Sequence, residues 1–459
     1  MEATYETRKQ ELLDECSVDP QIFHRVMPRL EQFMSPFVDR LVRKEQVEHA
    51  QTFVQGLLSD LDAKNTESIA YRFGQERMPL QWFIGVSGWD DEPLRDELVR
   101  QVGETLGAED GVIVFDPSAF PKSGKDSVGV ARQWCGRLGK VDNCQVAVYM
   151  GYVSNEEHAL VDTRLYLPKE WTTDPKRRKK AGIPKGTRYR TRHQLCLEML
   201  QTHGDQLPHQ WIAGDDEMGR PYWFRRRLDH LGEQYLLSVA SNTLIRDLQV
   251  DPPPYSGRGR HPKRPWVRVD QWTKSLSEDA WTEINVRDGA KGPLTVEAVK
   301  RRVVARDDKR REGHEEVLVV IRYKDRDDQS VVKTDYYLSN AKFETELAEF
   351  TRVAKAEHRI EECIQRAKSE AGLADYEVRN WKGWQHHQTL SLIATWFLVT
   401  EARRGKKNDT GDYRSTNPRG NRLDHSPTIR MRYDLPRYPG TRAMAEEKRT
   451  RSPLPLETT

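Results

Sequence analysis

Three acidic residues lie where the sequence pattern can bring distant carboxylates together. Asp116 follows the apolar run 112–115, Asp215 closely follows the apolar run 211–213, and Glu361 lies in a late stretch with helical periodicity. A few converging carboxylates can hold two divalent ions about 3.5–4 Å apart, one to activate a nucleophile and one to stabilise the departing oxygen. Hard ions such as Mg²⁺ prefer oxygen ligands and keep several waters, so three carboxylates suffice. The pattern therefore suits metal-dependent phosphodiester chemistry.

The evidence from each carboxylate taken alone is uneven. The chain contains 71 acidic residues, and most of them are expected to be solvated surface charges. Asp116 stands out because four consecutive apolar residues precede it. Asp215 is followed by Asp216 and Glu217, and the sequence leaves open which of these three would bind a metal.

The order of predicted elements favours an α/β fold with a mixed sheet flanked by helices. Apolar or alternating runs predict strands, and helical spacing of apolar residues predicts helices. The predicted strands cover residues 112–115, 145–152, 159–167, 211–213 and 235–239, and the predicted helices between them cover 191–201 and 222–231. Three strands followed by helix, strand, helix and strand match the order of an RNase H-like fold. Asp116, at the end of the first strand, and Asp215 would then lie at strand ends, where open α/β sheets place their sites.

The rest of the chain divides by pattern around this sheet. The predicted regions are an all-helical N-terminal region at 1–105, the first part of the RNase H-like core at 106–246, a β-rich insertion at 247–341, the C-terminal core helices at 342–406 and a basic tail at 407–459. The insertion contains a predicted hairpin of strands 317–322 and 331–338. The tail is rich in Pro and Arg with little periodicity, which predicts disorder.

Composition indicates a protein with local basic surfaces. The net charge is only +3, yet residues 164–192 contain eleven Lys or Arg and two acids. Such blocks suit nucleic-acid phosphates, with solvated surface as the alternative. The five cysteines lack zinc-site spacing and fit a reducing compartment. The N-terminus lacks a signal pattern and the longest apolar run, 390–399, is too short for a bilayer, so the sequence predicts a soluble cytoplasmic protein without a membrane partner.

Several sequence blocks closely match a known family. They are residues 126–145 (DSVGVARQWCGRLGKVDNCQ), residues 164–168 (RLYLP) with Trp171, and residues 376–381 (YEVRNW). The first block closely resembles the stretch after the first Asp in DDE transposases of the insertion sequence 701 family, which is related to the larger insertion-sequence-four group. The resemblance extends over about residues 80–404.

The resemblance implies catalytic and metal-binding roles for three residues. Asp116 resembles the first catalytic Asp of the family, and Asp215, within residues 214–219 (GDDEMG), resembles the second. Glu361 resembles the Glu of the wider group's Tyr-Arg-Glu-Lys pattern. The resemblance therefore implies that these carboxylates bind two Mg²⁺ or Mn²⁺ ions.

Lys368 also matches this pattern, whereas two other positions depart from it. Lys368 lies seven residues after Glu361, so both side chains project from one helix face. A lysine there would hold a DNA phosphate, with an ordinary surface lysine as the alternative. The pattern's Tyr and Arg positions are Ala354 and Glu357 here, and Arg359 is a hypothetical partial substitute for the Arg.

Other basic residues are predicted to contact the DNA backbone. Three closely follow Asp116, and two lie in the basic, loop-like segment 176–180. Such contacts position DNA without reading its sequence. The predicted contacts are Lys122, Lys125, Arg132, Arg177 and Lys179.

The leading hypothesis is a cut-and-paste DNA transposase of an insertion sequence. The helical N-terminal region would bind the terminal inverted repeats, and a homodimer would act on two paired DNA ends and join them to target DNA. Two alternatives stay open. One is a DNA-binding remnant without catalysis, motivated by Ala354, Glu357 and a stretch after residue 407 that is unlike the family's final folded segment. The other is an RNase H-like nuclease that cleaves DNA without joining it.

Overall fold

A computed structural model describes residues 26–155, 157–289, 292–325 and 329–412 of the chain. The chain forms two compact units, residues 1–401 and 402–459, and the first unit carries the sheet and the helices that cover it. Residues 1–25 of the predicted helical region and residues 413–459 of the predicted tail lie outside the described residues.

Helices precede the sheet, as the sequence predicted. Their bounds are α1 Met27–Val38, α2 Lys44–Leu57, α3 Thr66–Arg72, α4 Arg77–Gly85 and α5 Glu92–Leu106. Each helix buries an apolar stripe. In α2, for example, Phe53, Val54 and Leu57 are fully buried.

The central part of the sheet has the predicted RNase H-like arrangement. Its strands are β1 Val112–Pro121, β2 Ala131–Cys135, β3 Lys140–Ser154, β4 Glu157–Leu165, β5 Trp211–Gly214 and β6 Tyr235–Ser238. The order is β4-β3-β1-β5-β6, in which β3 is antiparallel to β1 and β4 while β5 is parallel to β1 and β6. The predicted α/β class is confirmed.

Strand β1 is longer than predicted. The prediction ended it at Asp116, but the strand continues to Pro121 and pairs with β3 throughout, with Asp116 opposite Tyr149. Strand β5 pairs with β1 at residues 112–115, so the parallel pairing stops just before Asp116 while the antiparallel pairing with β3 continues. Pro117 has no N–H to donate, and a strand with a single partner can accommodate it.

Short helices connect the strands of this core. They are α6 Lys169–Thr173, α7 Pro175–Ala181, α8 Arg192–His203, α9 Asp216–Gly219 and α10 Tyr222–His230. The basic segment 176–180, predicted as loop-like, is therefore helical. Asp174 accepts hydrogen bonds from the backbone N–H groups of Lys176 and Arg177, and Pro175 occupies the first helical position. An acidic N-cap followed by proline is a helix-start signal that outweighs the charge density.

The β-rich insertion extends the same sheet. It consists of β7 Leu244–Asp247, β8 Val267–Arg268, α11 Val269–Lys274, β9 Thr282–Gly289, β10 Gly292–Arg306, β11 Glu312–Lys324 and β12 Val331–Ser339. The predicted hairpin is present as β11 and β12. Strand β12 pairs antiparallel with β6, and the order continues β12-β11-β10-β7-β8, with β9 also on β10.

Two long helices complete the described chain, α12 Leu347–Glu370 and α13 Trp381–Asp412. Helix α12 packs across β1, β3, β4 and β5. It lies against β3 at Gly151, where an added Cβ would lie 2.4 Å from Ile360 Cδ1. The missing side chain of Gly151 therefore lets α12 lie directly on the sheet.

The apolar run within α13 belongs to the core. Leu390, Leu392 and Ile393 are fully buried, and Trp396 is nearly so. Among the residues that the structure describes, none of the helices combines the length and apolar character needed to cross a bilayer.

Replacing Gly219 with Ala is expected to destabilise the protein. An added Cβ would lie 1.9 Å from the backbone carbonyl oxygen of Ser238 in β6, which cannot rotate away. Overpacking of this kind costs about 1–3 kcal/mol, so the Tm in thermal unfolding should fall by several degrees. Gly136→Ala is the control, because nothing lies within 4 Å of the Cβ added there. Equal Tm values for both variants would show that α9 does not depend on this close approach.

Candidate active site

The first two predicted carboxylates are neighbours at the boundary between β1 and β5. In the parallel register of these strands Phe115 is opposite Gly214. Asp116 directly follows Phe115, and Asp215 directly follows Gly214. Because paired strands are about 4.8 Å apart, the two aspartates leave adjacent points of the backbone.

Ion pairs distinguish Asp215 from the two acidic residues that follow it. The Asp216 carboxylate accepts a hydrogen bond from Arg220 at 2.8 Å, and the Glu217 carboxylate accepts two from Arg192 at 2.6 and 2.7 Å. Asp215 instead caps α9, where its Oδ1 accepts a hydrogen bond from the Met218 N–H at 3.0 Å. Of the three, Asp215 is therefore the carboxylate without an arginine partner and the one beside Asp116.

Burial and like charges perturb both aspartates. Burial raises the pKa of Asp116 well above its usual value, and the carboxylates of Asp215 and Glu361 raise it further. The Lys368 ammonium opposes this rise in the pKa of Asp116. Burial, with smaller contributions from Glu217, raises the pKa of Asp215 to about 7. Ionising both carboxyl groups at once is therefore unfavourable in free energy.

Helix α12 adds two glutamates to this group. Glu357 and Glu361 are four residues apart, so they lie on one face of the helix. Burial raises the pKa of Glu357 well above its usual value, and the Asp215 and Asp116 carboxylates raise it further. The side chain of Glu361 is 60% exposed, and its Oε2 lies 3.6 Å from Nδ1 of His358. From the sequence, Glu357 was interpreted only as a departure from an Arg position, although its spacing of four residues from Glu361 was a usable signal.

Lys368 lies on the same side of β1 as Asp116. Its ammonium donates a hydrogen bond to the Ser118 Oγ at 2.7 Å. Ser118 is two residues after Asp116, so both side chains point to one face of the strand. Burial lowers the pKa of Lys368, and the Asp116 carboxylate counteracts that change. Lys368 is therefore a partly buried cation beside the carboxylates rather than an ordinary surface lysine.

The side chains gathered here suit a hard divalent cation. All four are carboxylates, the oxygen ligands that Mg²⁺ and Mn²⁺ prefer, and they belong to Asp116, Asp215, Glu357 and Glu361. Burial raises the pKa values of Asp116 and Glu357, and repulsion from the other carboxylates raises them further; a bound cation would stabilise the ionised forms against both effects. Within the described ranges, no three Asp, Glu, His or Cys side chains have the spacing of a closed metal site. The residues fit the metal in the kind of their donor atoms.

Four of the predicted DNA contacts lie on loops, the β2 strand and α7. Lys125, Arg132 and Lys179 are exposed. Arg177 is half-buried, because its guanidinium lies 3.8 Å from the centre of the Trp171 ring. Their roles in DNA binding stay predictions.

Lys122, the fifth predicted contact, is engaged within the chain. Its ammonium donates to the Tyr376 carbonyl oxygen at 3.0 Å and lies 3.6 Å from the centre of that residue's ring. Burial lowers the pKa of Lys122 to about 8. A contact between Lys122 and DNA would have to replace these interactions, and it stays a prediction.

Asp215→Asn is expected to stabilise the metal-free protein more at pH 8 than at pH 5. A carboxyl whose folded pKa is raised to about 7 stabilises the fold below its unfolded pKa, and that contribution is lost as pH rises through the folded value. The gain at pH 8 should exceed that at pH 5 by about 1–3 kcal/mol, since one pKa unit corresponds to about 1.4 kcal/mol. Chemical denaturation in EDTA measures it, with Asp216→Asn as the control. A gain independent of pH would contradict the assigned burial.

Known proteins resemble this chain over a region that includes Asp116 and Asp215. The sequence model of a family described as DDE superfamily endonuclease matches residues 36–293, more than half of the chain, including β1 and β5 but not α12. The probable transposase for insertion sequence element IS701 from Microchaete diplosiphon is 27% identical over 201 residues, which cover 42% of this chain and 49% of that relative. The chain thus spans about half the length of the curated relative it matches. The family predicted from the sequence blocks is confirmed, and the chain belongs to the DDE superfamily of endonucleases.

Proposed function

We propose that this chain is the DNA transposase of an insertion sequence, which cuts the ends of the element and joins them to target DNA. The observation that carries the proposal is geometric: Asp116 and Asp215 each directly follow one of the paired residues Phe115 and Gly214, and Glu361 of α12 is near enough to act on the pKa of Asp116. Membership of the DDE endonucleases supports the cleavage chemistry. The similarity to a probable transposase supports the joining step.

Asp116, Asp215 and Glu361 would hold two Mg²⁺ or Mn²⁺ ions. When bound, two such metal ions activate the attacking oxygen and stabilise the departing one. The hydrogen bond from the Met218 N–H keeps the Asp215 carboxylate oriented. Glu357 would remain a buried neighbour that increases the negative potential of the site and so favours cation binding.

Lys368 would orient the phosphate that is cut. Its ammonium donates to Ser118 Oγ, and the Asp116 carboxylate is near enough to act on its pKa, so an incoming phosphate oxygen could replace the Ser118 hydroxyl as its partner. A charge-assisted hydrogen bond to phosphate is stronger than one to a neutral hydroxyl. Lys368 would thereby hold the phosphate against the carboxylates.

The proposed substrates are the terminal inverted repeats of the element and a target DNA. The helical region before β1 would bind the repeats, and the basic residues after β1 would contact the DNA backbone near the cut. Because two ends must be cut and joined to one target, we propose a homodimer that pairs them, with one active site for each end.

Loss of any one of the three carboxylates is expected to abolish cleavage. Asp116→Asn, Asp215→Asn and Glu361→Gln should each lower the nicking rate at least about a hundredfold, because removal of even an outer-shell group costs 10–100-fold. The assay is nicking of a labelled duplex that carries the element's end and its flank, with Mg²⁺ or Mn²⁺. Glu362→Gln is the matched control, because Glu362 is the exposed neighbour of Glu361 on α12.

The same assay distinguishes the alternative assignments of the third carboxylate and of the function. Full activity of Glu361→Gln with loss in Glu357→Gln would assign the third carboxylate to Glu357. A parent protein that binds the duplex without nicking it under either metal would be a DNA-binding remnant. Nicking without transfer to a target plasmid would make the chain a nuclease.

A further inference from the structure

The β2–β3 hairpin, residues 131–144, carries an exposed apolar patch. Trp134 is 57% exposed, Val141 is 51% exposed, and Leu138 in the turn between them is 43% exposed. Trp134 and Val141 are directly opposite each other in the antiparallel register, so their side chains share one face. A tryptophan held out of the core beside other exposed apolar residues is typical of a contact surface.

This face of the hairpin continues along β3 to the active site. Opposed residues of antiparallel strands point to one side of a sheet, and so do alternate residues along a strand. Val141 and Tyr149 are an even number of residues apart, and Tyr149 is opposite Asp116. Trp134, Val141 and Asp116 therefore lie on the same side of the sheet.

The turn of the hairpin also lies near the active site. Residues 136–138 form a single 3₁₀ turn that contacts β1. The Arg137 guanidinium is one of the charges that act on Lys368. Lys368 in turn donates to Ser118, two residues after Asp116. DNA at the carboxylates would therefore pass over or beside the hairpin.

The charge of the hairpin favours a polyanion as its partner. Arg132, Arg137 and Lys140 are exposed, and the only acidic residue within 131–144 is Asp142. Asp142 pairs with Lys140 at 3.0 Å, so the two arginines account for the net positive charge. Arg132 is two residues from Trp134 and thus on the same face.

We propose that this hairpin face binds the DNA next to the cut, with Trp134 stacked on an unpaired base of the DNA end and Arg132 and Arg137 on its phosphates. The inference rests on the proposed function, because it takes DNA as the substrate. An aromatic side chain stacks on any base, and arginine contacts to phosphate are independent of sequence. The hairpin would therefore hold a DNA end in place without selecting its sequence.

The test measures binding to a fluorescein-labelled duplex of about 30 base pairs with a short single-stranded overhang. Kd is determined by anisotropy in EDTA over a range of salt concentrations. Trp134→Ala should weaken binding about tenfold with an unchanged salt slope, because stacking releases no counterions. Trp134→Phe should stay within about twofold of the parent. The double variant Arg132→Ala with Arg137→Ala should lower the salt slope by about two.

Two further variants and gel filtration complete the design. Val141→Ser should weaken binding in the same direction as Trp134→Ala, whereas Val332→Ala, which alters a 63% exposed residue of β12, should not. Parent-like binding by Trp134→Ala would overturn the inference. A changed oligomeric state without a change in DNA affinity would also overturn it, because the face would then contact protein.

The binding assay tests the hairpin inference and the nicking assay tests the proposed transposase, so each hypothesis can be contradicted without the other. EDTA prevents metal-dependent cleavage, so a parent that binds but never nicks contradicts the proposed transposase and leaves the hairpin inference intact. A parent that nicks normally, together with a Trp134→Ala variant that binds normally, contradicts the hairpin inference alone.

Discussion

The burial of several carboxylates together at the boundary of β1 and β5 is the constraint on which the rest of this structure depends. Burial raises the pKa values of Asp116 and Glu357, repulsion from the neighbouring carboxylates raises them further, and burial brings the pKa of Asp215 to about 7. Uncharged residues at these positions would make the isolated fold more stable. Natural proteins keep such costs at sites where activity requires them. The clustering of perturbed acids at one strand boundary is thus a stronger sign of function than any single carboxylate.

The surrounding elements hold the carboxylates together against this repulsion. Gly151 lets α12 lie directly on β3, and Gly219 lets α9 lie against β6. Lys368 contributes one positive charge on the Asp116 side of β1. Packing of the backbone therefore sets the positions of the acids, while the Lys368 ammonium compensates part of the charge at Asp116.

The sequence was most informative where strands are short and apolar. The runs 112–115 and 211–213 predicted the two strands that precede the aspartates, because strands buried on both faces are apolar throughout. Strand β10 was missed, since the three consecutive basic residues 300–302 interrupt its apolar alternation. The choice among residues 215–217 also needed the structure, because it depends on Arg192, which is distant in sequence. Glu357 became visible as part of the group only once α12 was seen to lie on the sheet.

The insertion is joined to strand β6 of the central sheet by hydrogen bonds, and this has a mechanical consequence. Strand β12 pairs with β6, with Tyr337 opposite Ser238, and the Ser238 carbonyl is the group that packs against Gly219. A displacement of the insertion is therefore transmitted through the ladder to the turn that carries Asp215. The insertion is therefore connected to the turn that carries Asp215 through strand β6, rather than being an independent appendage.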